Sequence, residues 1–321
     1  MATVTAYTPF ASYAPVFDSA SFSFVYGAVT SFTPTHIRTV DGARAQEYFG
    51  TGFTQDTAGN VVAGTLTRTK YWVDGVLQYT IDGLSHSASA VAGFNPAQAP
   101  AGGLLYYIFN GDDVFTGSNG NDLVDGWLGN NTLDGGAGID TAAYILGIED
   151  YEITKMPSGY RVTKLIGPSQ TDTLMNIERA QFLDWGLALD LDPGQAAANT
   201  VRVIGAAFDA PALQQHPDWV GLGLELFDEG ITMPQVCELV AQQVLRMDNE
   251  TFVTTVYTNV VGAAPPASER DHYVGLLQGS GGTMTQGQLL EFAANCEANT
   301  VNVDLVGLQQ TGIEFDWPQW G

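Results

Sequence analysis

The sequence predicts a multidomain β + α protein. A β-rich N-terminal region runs into a short coil of parallel strands with a β cap, and an all-α tandem-repeat bundle follows. Three observations carry this. Strand-like alternation broken by turn residues fills residues 1–107, a nine-residue period fills 108–143, and a helical period begins at about Ala196. The expected divisions are therefore a β-rich region at 1–107, repeats at 108–143, a cap at 144–194, a helical tandem repeat of two ~53-residue units at 195–300 and a tail at 301–321.

In the first region Ser21–Tyr26, Thr65–Trp72 and Leu77–Ile81 are rich in Val, Thr, Tyr and Phe, which suit a pleated, half-buried surface. Turn residues separate such runs at Thr57-Ala-Gly-Asn60, Val73-Asp-Gly75 and Ile81-Asp-Gly83. Asp74-Gly75 between apolar runs predicts a two-residue hairpin, because both positions tolerate positive φ. The segment from Tyr48 to Leu84 is similar to β-rich leaders found ahead of calcium repeats in some secreted proteins. A linker, Phe94 to Gly103, leads into the repeats.

There, Gly111-Asp-Asp113, Gly120-Asn-Asp122, Gly129-Asn-Asn131 and Gly138-Ile-Asp140 share one register. Two positions after each acid or amide stands an apolar residue: Phe115, Val124, Leu133, Ala142. Glycines permit turns that other residues resist. The apolar residue starts a strand whose side chain points inward, and the carboxylates and turn carbonyls are the hard oxygens that Ca²⁺ prefers. With nine residues per turn and strand, alternate turns stack on one edge.

The pattern resembles the calcium-binding nonapeptide repeat of RTX (haemolysin-type) proteins. The resemblance implies a calcium β-roll, with an ion between stacked turns. The better site would join Gly117, Asn119, Gly120 and Asp122 to Gly135, Ala137, Gly138 and Asp140. A weaker one would join Gly111 and Asp113 to Gly129 and Asn131, because Trp127 replaces a glycine and Asn131 an acid.

After the repeats, Tyr151-Glu-Ile-Thr and Tyr160-Arg-Val-Thr alternate around the turn Pro157-Ser-Gly159. Asp172-Thr-Leu-Met-Asn-Ile-Glu-Arg-Ala-Gln-Phe182 resembles the segment that closes the roll in serralysin-type C-terminal domains, with Glu178 and Arg179 as paired polar residues. It implies a cap over the roll's open end. The zinc helix of those proteases is absent.

Helical spacing marks Val201–Phe208, Trp219–Phe227, Met233–Leu245, Asn249–Val261, Asp271–Leu277 and Gln286–Asn295. Thr232 and Thr285 are expected N-caps, and Pro234 suits a first turn. Thr232 with Thr285, Val236 with Leu289 and Glu238 with Glu291 align at an offset of 53, giving two units. This region resembles a domain of unknown function found beside calcium repeats in secreted bacterial proteins. Cys237 and Cys296 form either a disulfide or two buried thiols.

The formal net charge is −24, from 11 Lys plus Arg against 35 Asp plus Glu. Such a field repels nucleic acid and anionic membranes and attracts divalent cations. No apolar run suits a membrane span, and residues 1–30 lack the charged and apolar regions of a secretory signal peptide. Export without a cleaved N-terminal signal is expected, by the type I route of RTX relatives, read from a C-terminal signal. No Lys or Arg follows Arg270, and Ile313 to Trp320 is apolar and aromatic.

No nucleophile elbow, zinc-protease helix, P-loop or dinucleotide fingerprint is present, so no catalytic residue is expected. The expectation is a secreted, calcium-binding structural protein that assembles with itself in a surface layer, filament or biofilm matrix. The alternative is a calcium-dependent adhesin or carbohydrate-binding module using Trp72 or Tyr106-Tyr107 to hold cell-surface polysaccharide. A third reading is an accessory to, or divergent form of, a secreted enzyme.

Overall fold

The computed structural model describes residues 1–9, 27–93 and 103–316. The expected strand Ser21–Tyr26, most of the 94–103 linker and the aromatic end 317–321 lie outside the described residues. The fold is β-rich in its N-terminal part and helical in its C-terminal part, and contacts divide it into compact units Met1–Leu183 and Asp184–Gly321.

In the first unit the strands are β1 (Thr3–Ala6), β2 (Ala28–Thr33), β3 (His36–Asp41), β4 (Arg44–Gln55), β5 (Val61–Val73), β6 (Val76–Asp82) and β7 (His86–Ser87). They are followed by α1 (Ala88–Ala92), α2 (Gly103–Ile108), β8 (Val114–Thr116), β9 (Leu123–Val124), β10 (Thr132–Asp134) and β11 (Thr141–Ala143). The last strands are β12 (Tyr151–Met156), β13 (Gly159–Lys164), β14 (Thr171–Met175) and β15 (Arg179–Gln181). Helices α1 and α2 depart from the all-strand expectation for residues 1–107. Ser87 caps α1 by accepting the Ala90 N–H, a signal that strand alternation does not show.

Strands β2 to β6 form an antiparallel meander. The β5–β6 turn places Asp74 at φ 50° and Gly75 at φ 77°, the double positive-φ turn that the sequence signals. Ile37, Tyr48, Leu66, Tyr79 and Ile81 alternate into its core.

Strand β1 joins the meander to the repeats, pairing antiparallel with β6 on one side and parallel with β8 on the other. Two parallel stacks follow, β8–β10–β14 and β9–β11–β15. Val114 pairs with Thr132 and Leu123 with Thr141, an 18-residue step. The step from β10 to β14 is longer because the β12–β13 hairpin is inserted between them. Residues 144–183 therefore include two further rungs of the same stacks. Phe115, Val124, Leu133 and Ala142 are all buried between them.

The second unit holds β16 (Gly186–Ala188), α3 (Ala196–Phe208), α4 (Ala212–Gln215), α5 (Pro217–Asp228), α6 (Met233–Leu239), α7 (Asn249–Val261), α8 (Ala267–Leu276), α9 (Gln286–Asn295), α10 (Glu297–Asn302), α11 (Leu305–Thr311) and β17 (Ile313–Phe315). A π-turn at Val240–Leu245 extends α6. Residues 301–321, expected to be a tail, contain α11 and β17, and β17 pairs antiparallel with β16. Ile313 and Phe315 are buried, which the weak local pattern of three residues does not reveal.

Helix α3 buries most of its residues, Asn199 and Arg202 among the exceptions, and sits between two cores. Val201 and Ile204 pack with α5 and β17 residues, whereas Val203, Ala206 and Ala207 pack with Val236, Phe252 and Leu290. Helices α3 and α7 start 53 residues apart, as do α6 and α9.

The disulfide kept open for Cys237 and Cys296 is not formed: both thiols are free. Cys237 is fully buried in the core on α6, and burial pushes its thiol up to about 12, so the thiolate that disulfide exchange requires is disfavoured.

Candidate metal centre

The strand stacks bring every second repeat turn into register, and side chains tie the turns together. On one edge Asp140 Oδ1 accepts the Asp122 N–H at 2.7 Å, and Glu178 Oε2 accepts the Asp140 N–H at 2.8 Å. On the other, Asn131 Oδ1 accepts the Asp113 N–H at 3.0 Å, and Asp172 Oδ1 accepts the Asn131 N–H at 2.9 Å. Asp113 Oδ1 accepts in turn from the Ala2 N–H. Each rung's acid or amide thus satisfies the backbone donor of the rung below.

Glycines let the turns approach. A Cβ on Gly117 would stand 2.0 Å from Gly135 O, and one on Gly129 (φ +95°) 2.1 Å from Gly111 O. Gly138 lies against Gly120 in the same way, and Gly136 against Ser118 O. Backbone carbonyls therefore occupy the layer between stacked turns. Trp127 takes the left-handed conformation (φ 62°) that a glycine would occupy without strain.

The sequence-derived residues divide as follows. Gly117, Gly120, Asp122, Gly135, Gly138 and Asp140 come together on one edge, and Gly111, Asp113, Gly129 and Asn131 on the other. Ala137 meets the turn below through its N–H to Ser118 O at 3.3 Å. Asn119 is exposed at the turn's tip. Asp122 Oδ2 is engaged inside its own turn by the Ser118 N–H (2.6 Å) and hydroxyl (3.0 Å).

Asp172 and Glu178 were not expected as ladder residues. Both carry the signal of the repeats, an acid two positions before an inward apolar residue: Asp172 before Leu174 and Glu178 before Ala180. The missing glycines and irregular spacing hide it. Asp172 supplies the carboxylate that Asn131 does not. Arg179 Nη1 donates to the Glu178 carbonyl at 2.9 Å.

Asp113 Oδ2 and Asp140 Oδ2 are buried and accept no hydrogen bond. Burial pushes Asp140 up to about 7, helped by the charges of Glu178, Asp122 and Asp134. Asp172 is likewise pushed up to about 7 by burial, and burial raises Asp113 as well. Anionic oxygens without a partner, close to carbonyls, fit a hard cation such as Ca²⁺, which takes oxygen ligands of both kinds. Among the described residues no three His, Cys, Asp or Glu side chains converge, so a cation here would depend largely on backbone oxygen.

Among the described residues no helix is long and apolar enough to cross a membrane. No curated protein and no solved structure matches the chain. Residues 107–142 match the family model of the RTX calcium-binding nonapeptide repeat, in four copies.

Proposed function

We propose that the stacked turns form a calcium β-roll and that the chain is a secreted, non-catalytic structural protein that folds and assembles outside the cell. Asp122 and Asp140, with Gly117, Gly120, Gly135 and Gly138, would hold one ion. Asp113, Asn131, Gly111 and Gly129 would contribute to the second. The observation that carries this is the coincidence of the RTX repeats with two buried, unpartnered carboxylate oxygens at Asp113 and Asp140. At low cytoplasmic calcium these acids destabilise the roll. Outside the cell the ion offsets their burial, with about 2.7 kcal/mol for a site at 100 times its dissociation constant.

The serralysin-like segment 172–182 then adds the last rungs, and the helical unit is a tandem pair of about 53 residues each. Self-assembly is supported by apolar side chains exposed on the second unit, including Leu222, Val244, Phe292, Val301 and Val306. Type I export would use a signal within 301–321.

Sedimentation and negative-stain microscopy test the assembly, in millimolar calcium and after chelation. Ordered filaments or sheets only with calcium are expected. A monomer under both conditions contradicts assembly.

One observation favours the second reading, a carbohydrate-binding module. Trp72 lines a recess of about 580 Å³ with Arg38, Arg44, Glu47 and Asp74, an aromatic face flanked by hydrogen-bonding groups. Glycan-array binding that Trp72→Ala abolishes would favour this reading.

A further inference from the structure

A second group of polar side chains lies beside turn 126–131 and shares Asp172 with the rung ladder. The β12–β13 hairpin and turn 126–131 enclose a cavity of about 40 Å³, lined among others by Asp125, Trp127, Tyr144, Tyr151, Lys164 and Asp172. Asp125 Oδ1 accepts the Trp127 N–H at 2.8 Å, and Asp172 Oδ1 accepts from the Asn131 main chain and side chain, both at 2.9 Å. The Tyr144 hydroxyl is fully buried and without a partner, and its charged neighbours are Asp172 and Asp125. Lys164 also lines the cavity, and among the described residues it forms no ion pair with either acid.

Two carboxylates desolvated by burial and held by no ion pair are unfavourable, and a buried hydroxyl with no partner adds to the cost. The cavity has room for one ion and a water or two, since a water needs about 10–15 Å³ of such space. Asp125, Asp172, Tyr144 and Tyr151 offer oxygen donors, which hard cations prefer. We propose that this cavity is a further divalent-cation site, which shares only Asp172 with the rung ladder, and in which Asp125, Asp172 and Tyr144 bind Ca²⁺. The ion would join the inserted hairpin to turn 126–131 and compensate the left-handed strain at Trp127.

Terbium tests it on the full chain, because Trp127, Tyr144 and Tyr151 line the cavity and sensitise a lanthanide held there. The wild type is expected to give sensitised Tb³⁺ emission that Ca²⁺ displaces. Asp125→Asn retains an acceptor for the Trp127 N–H and removes the charge. It is expected to weaken this emission about tenfold or more in half-saturation and to lower bound calcium by one ion per chain at equilibrium dialysis. Tyr144→Phe keeps two sensitisers and should raise the half-saturation several-fold, which covers an Asp125 variant that fails to fold. Absence of sensitised emission from the wild type overturns the proposal, and so does unchanged half-saturation and calcium stoichiometry in both folded variants.

Discussion

Asp140 uses its two oxygens differently. Oδ1 receives the Asp122 N–H and holds two rungs in register, whereas Oδ2 is buried with no partner. Asp140→Asn keeps the first contact and removes the charge. Calcium affinity of the roll, read by calorimetry, should fall about tenfold or more, equivalent to about 1.4 kcal/mol. A pH dependence follows for the calcium-free chain. Asp140 and Asp172 titrate near 7 in the fold, whereas an aspartate free in water titrates near 3.8, so the fold holds their protons more tightly than the unfolded chain does. Stability of the first unit should therefore decline as pH rises from about 4 to about 7, as urea melts in chelator would show. Excess calcium should reverse the trend, because only the ionised acids bind it. Two glycines separate two kinds of constraint. Gly75 has open space around it and a φ of 77°, so Gly75→Ala should cost about 1 kcal/mol with or without calcium. At Gly117 a methyl group would strike Gly135 O, so Gly117→Ala should cost about 1–3 kcal/mol and weaken calcium binding as well.

At the scale of elements, helices with clear local end signals were legible, whereas α4, α10 and α11 were not expected and α3 and α8 begin earlier than their spacing suggested. Helices α7 and α9 have the predicted bounds, Asn249–Val261 and Gln286–Asn295. Thr285 caps α9: its hydroxyl accepts the Gln288 N–H at 3.1 Å, and Gln288 Oε1 accepts the Thr285 N–H at 2.9 Å. Gln235 Oε1 likewise accepts the Thr232 N–H at 3.0 Å at the start of α6. Thr285→Ala should destabilise the second unit by about 1 kcal/mol in thermal melts, with no effect on calcium binding. The stacking of alternate turns was legible for the same reason, since a fixed nine-residue period sets the register. Long-range pairing hid the rest. The rung below Asp113 is Ala2, 111 residues earlier in the chain, and the rung above Asn131 is Asp172, 41 residues later and beyond a hairpin. Local periodicity carries no information about such pairings. The short strand β17 was missed because its burial depends on tertiary packing.

Across the whole molecule, calcium sensitivity should be confined to one unit. The first unit carries the stacked turns and their buried acids, and β1 links the roll to the meander. The second rests on two apolar cores around α3 and contains none of the proposed calcium ligands. Two unfolding transitions are therefore expected, of which calcium moves only one. The most direct test is hydrogen exchange by mass spectrometry on the full chain, with millimolar calcium and with chelator. Amides of the rungs between Val114 and Gln181 should gain strong protection with calcium, while those of α3, α7 and α9 stay unchanged. Equal protection of the rungs in chelator would contradict calcium-coupled folding of the roll.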